Sequence, residues 1–112
     1  MIAAVVALAA ALTATDPTTD MTFTLSGRTL TAEVGPGTPA KVKARLNGKK
    51  VVLGCARMSG KMTWTGTKPL KWPAGAMSMK VTLPKRLAHP DACGVEKPSG
   101  TDISWGYFDG RG

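Results

Sequence analysis

Histidine occurs once in this chain, tyrosine once and cysteine twice, and the 7 acidic residues face 15 lysines and arginines. No spacing pairs a nucleophile with a base or sets two carboxylates in a local motif, so the chain is expected not to be an enzyme. The sole imidazole, His89, lies between Ala88 and Pro90 in a loop-like segment, and zinc on Cys55, His89 and Cys93 would lack a fourth ligand and compete with a disulfide. Met58, Met62, Met77 and Met79 with His89 have the softness that copper prefers, but Met77 and Met79 continue into Val81 and Leu83 as core fillers. No metal and no cofactor is assigned. The longest apolar run, Met1 to Leu12, would rise about 18 Å as a helix, short of the roughly 30 Å a membrane span must cross. An aromatic–basic motif of the kind nucleic-acid binders carry is also missing, which argues against such a partner.

The uncharged opening run passes through Thr13, Ala14 and Thr15 into the polar stretch Asp16 to Asp20, the pattern of a secretory signal. Its departure from that pattern is the missing basic segment, since the first cationic side chain is Arg28. Cleavage after Ala14 or after Ala11 fits. The chain therefore divides into a signal-like segment, 1–14, a polar linker, 15–20, and one domain, 21–112, with a secreted or extracytoplasmic location. In such a compartment two cysteines and no third are expected to pair. Joining Cys55 to Cys93, 38 residues apart, removes unfolded-state entropy worth about 4 kcal/mol.

Strand periodicity recurs through the rest of the chain, with 13 glycines and 8 prolines as punctuation. Met21, Phe23 and Leu25 alternate with threonines, Ser26 and Gly27 turn the chain, and Leu30, Ala32 and Val34 alternate again. A loop is expected over 35–39. Asn47-Gly48 reads as a type I′ hairpin turn between two strands, which sets Ala40, Val42, Ala44 and Leu46 on the core side. That register collects Lys41, Lys43, Arg45 and Lys50 into a basic stripe on the outer face. Met77 to Leu83 is a one-sided strand, Cys93 and Val95 start another, and Ile103, Trp105 and Tyr107 share a face in the last. About eight short strands result, an all-β antiparallel sandwich.

Cys55, a following Trp64 or Trp72, and Cys93 resemble the two-cysteine and tryptophan arrangement of immunoglobulin domains, over residues 55–93. The resemblance implies an immunoglobulin-like or related sandwich; Asp91 stands where that family carries a tyrosine. It implies no ligand, because such folds host many functions.

A formal charge of +8 points to an anionic partner, and for an exported chain that means wall or extracellular polymers met by Lys41, Lys43, Arg45 and Lys50. Trp72, in a proline-rich loop beside Lys68 and Lys71, offers a second binding surface of the kind that recognises sugars or proteins. Trp64 and Trp105 are expected in the core. The function expected from sequence is thus a secreted, non-enzymatic binding or surface-associated module. The alternative is a protease inhibitor or protein-interaction module presenting a rigid loop, Thr67 to Ala74 or Lys85 to Pro90. Oligomeric state is not legible.

Overall fold

Threonine alternates with apolar residues from Leu12 to Val34, and in the computed structural model, which describes residues 11–108, this stretch forms three consecutive antiparallel strands. They are β1 (Leu12–Asp16), β2 (Met21–Ser26) and β3 (Thr29–Val34), joined to β7 (Ser78–Thr82) in the sheet order β1-β2-β3-β7. The β2–β3 register is the one the alternation predicts, Phe23 opposite Ala32 and Leu25 opposite Leu30. All four of these residues are buried. A two-residue turn closes the pair, with Gly27 supplying the positive φ that its first position needs.

The second sheet runs β5 (Thr63–Gly66), β4 (Lys50–Arg57), β8 (Ala92–Glu96) and β9 (Asp102–Tyr107), with the short β6 (Leu70–Lys71) paired to the start of β4. Its inner positions, Val51, Leu53, Cys55, Cys93, Val95 and Ile103, meet those of the first sheet in one core. Each fully buried aliphatic or aromatic side chain there contributes about 1.5–3 kcal/mol. At one flank β1 lies against β9. Asp16, itself buried, accepts hydrogen bonds at Oδ2 from Ser104 Oγ (2.8 Å) and from the Trp105 amide (3.2 Å), so a side chain of the first sheet satisfies polar groups of the second.

Cys55 and Cys93 are bonded, as expected, and stand directly opposite each other on the adjacent strands β4 and β8, with Cα atoms 4.0 Å apart. The bridge therefore staples one sheet internally. In immunoglobulin domains the corresponding bridge crosses between sheets, so the likeness to that family stops at the sandwich architecture. Asp91, at the tyrosine position of that family, accepts hydrogen bonds from the amides of Met58 (2.6 Å) and Ser59 (3.1 Å) and fixes the turn after β4.

Two expectations are corrected. Residues 40–46 form a helix, α1 (Ala40–Leu46), not the first arm of a hairpin. Alanine, lysine, arginine and leucine all favour helix, and the apolar pair Val42 and Leu46, four residues apart, shares a face in a helix as it does in a strand. Asn47 (φ −54°, ψ 112°) and Gly48 (φ 69°) then make a type II turn, closed by the Lys49 amide on the Leu46 carbonyl (2.9 Å). The second correction concerns residues 15–20, expected as a linker. They complete β1 and a turn in which the Asp20 amide bonds the Asp16 carbonyl (2.8 Å). A cut after Ala14 would remove three of the five residues of β1, whereas one after Ala11 leaves the strand whole. The apolar residues 1–10 lie outside the described residues. No described helix is long and apolar enough to cross a membrane.

Candidate functional site

The helix redistributes the expected basic stripe. Lys41 is exposed and Lys43 half-buried, and neither lines the groove that forms where the C-terminal end of α1, the start of β4 and the β8–β9 connection meet. Arg45 and Lys50 do line it. Lys49 and Lys97, not singled out from the sequence, join them in a groove of about 510 Å³ whose charged side chains are all cations. Lys71 belongs to the same surface, since it stands directly opposite Lys50 across the β4–β6 pair and cross-strand partners project on one side. Like charges so placed repel each other. The fold accepts that cost here although other residue types suit an outer strand position.

Farther along the same face of β4 the character changes. Val51, Leu53 and Cys55 point into the core, so Lys50, Val52, Gly54 and Ala56 point outward in one row. Across the strands Gly54 pairs with Gly66 and Gly94, and Ala56 pairs with Ala92. Three neighbouring glycines are a poor choice for strand propensity, and the reason is what lies over them. A Cβ on Gly54 would fall 2.6 Å from Trp64 Cζ2, one on Gly66 2.7 Å from Trp64 Cε2, and one on Gly94 2.6 Å from Trp105 Cδ2. The two indoles are thus laid over a glycine floor. Their ring centroids are 5.5 Å apart and their planes inclined at 50°.

Sequence reasoning placed these rings wrongly. Trp64, expected in the core, is 38% exposed, and Trp105 is half-buried on the outer face. Trp72, expected exposed in its loop, is completely buried, its Nε1 donating to the Ala76 carbonyl (3.0 Å) and its main chain paired with residues 48 and 49. The segment 67–74 is accordingly anchored in the core at Trp72, while Lys68 lines a different groove with Pro69 and Val81. Ile103 does not share a face with Trp105 because an irregularity opposite Val95 and Glu96 puts one extra residue into β9. Glycine alternating with alanine on the outer register of β4 and β8 was the available signal, since glycine inside a strand marks a close approach.

A trough of about 190 Å³ runs over Trp105, with Met58, Met62 and Tyr107 at one end and Glu96 and Asp102 at the other. Trp105 Nε1 donates to Asp102 Oδ1 (3.0 Å), which holds the indole in place. Burial, followed by hydrogen bonding to Asp102 and the Asp102 charge, pushes the Glu96 carboxyl above its usual range, with Trp105 hydrogen bonding opposing the shift. Among the described residues no group of three or more metal-ligating side chains comes together. No family model matches the chain, and comparison with curated proteins and with solved structures finds no match either.

Proposed function

We propose that this chain is an exported, non-enzymatic binding module that retains an anionic extracellular polymer in the groove of Arg45, Lys49, Lys50 and Lys97. The observation carrying this reading is the accumulation of like charge in one concavity, with Lys71 directly opposite Lys50 on the adjoining strand. An anion there offsets the repulsion among the cations, and the net charge of +8 draws it in from a distance. Export is supported by the apolar opening run and the disulfide, with cleavage after Ala11 leaving β1 intact. A binding role is favoured over hydrolysis because the charged side chains lining the groove are all cations, so it holds no carboxylate pair to act as acid and base.

Retention on a sulfated or carboxylated polymer matrix, at low and at moderate salt, tests the reading. Replacing Arg45, Lys49, Lys50 and Lys97 with glutamine should abolish retention. Replacing Lys41, Lys61, Lys68 and Lys85 removes the same charge elsewhere and should leave most of it. Equal retention by the two variants rejects the groove.

A further inference from the structure

The groove accounts for an anion but not for the aromatic face beside it. Trp64 and Trp105 each turn one ring face toward the glycine floor and leave apolar surface outward, with Met62 at 70% exposure near them. Exposed apolar surface of this kind marks an interaction site more often than it serves stability. The indoles are also pre-organised, since the floor seats both rings and Asp102 fixes Trp105, so little freedom is lost when something stacks on them.

Continuity with the basic groove narrows the occupant. Gly54, under the Trp64 ring, and Lys50, lining the groove, lie on one face of β4 and four residues apart, about 13 Å at the rise of a strand. Glu96 ends the trough and Lys97, the next residue, lines the groove. Across that short distance a ligand meets flat apolar rings, then carboxyl acceptors, then cations. A sugar ring has a C–H face that stacks on indole and a hydroxyl edge that donates to carboxylates, and an acidic sugar adds the anion. An inorganic polyphosphate offers only the last of these, and an aliphatic acyl chain only the first.

We infer that the polymer held by this surface is an acidic polysaccharide, with successive sugar units stacked on Trp105 and Trp64 and their acidic groups in the Arg45–Lys50 groove. This inference rests on the anionic-polymer reading above and adds the chemical class.

The test compares two polyanions of matched charge on the full chain, polygalacturonate and polyglutamate, with tryptophan emission recorded during each titration. Polygalacturonate should bind about tenfold tighter, the worth of one or two good aromatic contacts, and should shift the emission. Trp64→Ala, at the exposed edge of the platform, should lower that preference severalfold while leaving polyglutamate binding unchanged; Trp105→Ala should do so more strongly. Should Trp105→Ala fail to fold, protection of the wild-type emission from acrylamide by polygalacturonate and not by polyglutamate supplies the same answer. Equal affinities with unchanged emission would overturn the sugar inference and leave the groove reading standing. Failure of both polymers to bind would overturn the groove reading, and this inference with it.

Discussion

On the outer face of the first sheet, Thr13, Thr15, Thr22, Thr24 and Thr31 occupy successive strand positions, and their hydroxyls meet across strands, Thr15 to Thr22 at 3.0 Å and Thr13 to Thr24 at 3.4 Å. The corresponding face of the second sheet carries Gly54, Gly66, Gly94, Ala56 and Ala92 under two indoles. Threonine on an outer strand position satisfies propensity and solvation at once. Glycine does neither, and its presence at three adjoining sites means that something other than strand stability selects the residue. The contrast teaches where to look for function in a sandwich whose two sheets share one core: at the outer face that gives up propensity to seat large rings near the surface.

The largest effect expected from this contrast separates the tryptophans. Trp72 fills the core, and Trp72→Ala should cost about 3–5 kcal/mol through the cavity it leaves. Trp64 lies on the outer face at 38% exposure, and Trp64→Ala should cost about 1 kcal/mol. Urea denaturation midpoints at constant slope measure both. Comparable losses would mean that Trp64 is a structural residue, and the division between a stabilising interior and a functional exterior would fail.

Next in size comes the glycine floor. By propensity alone, Gly94→Ala and Gly54→Ala should stabilise a strand, but the added methyl meets an indole and, at each site, a main-chain carbonyl oxygen that cannot easily move. We expect a loss of about 1–3 kcal/mol, the cost of overpacking. Thr24→Ala on the first sheet, where the residue is half-buried and its hydroxyl meets that of Thr13 at 3.4 Å, should change stability by less than about 1 kcal/mol. A gain in stability from Gly94→Ala would sharpen the picture the other way, by showing that Trp105 moves freely off its floor.

Much of the architecture was legible in the sequence, and the failures have physical causes. The β2–β3 pair was readable because alternation, a glycine turn and threonine propensity agree there. The disulfide followed from cysteine count, but its placement within one sheet is set by strand order, which no local pattern encodes. The segment Ala40–Leu46 misled because Val42 and Leu46 satisfy both periods while alanine takes no side, and the Asn-Gly pair that signals one turn type also makes another. Of the basic residues named from sequence, Arg45 and Lys50 line the groove, and Lys71 stands beside Lys50 only because β6 folds back on β4. Trp64 and Trp72 exchanged places for a related reason. A tryptophan in an alternating run looks internal and one between prolines looks external, until the first ring is seen to lie across Gly54 and Gly66 on the outer face and the second to be buried in the core.

The smallest effect isolates the acidic end of the platform. Burial raises the Glu96 carboxyl above its ordinary value of 4.5, and Asp102 adds to the shift by hydrogen bonding and by charge. The folded chain thus binds a proton at Glu96 more tightly than the unfolded chain does. The stability this confers is fully present below about pH 4.5 and is lost as pH climbs through the raised value, because ionising Glu96 is harder in the native state. Glu96→Gln keeps the shape and removes the titration. Its melting temperature should therefore fall less than the wild type's over that window, and should exceed the wild type's on the alkaline side. Melting curves from about pH 3 to about pH 7 decide the matter, since parallel profiles for the two proteins would mean that burial and Asp102 do not hold the Glu96 carboxyl above its ordinary value.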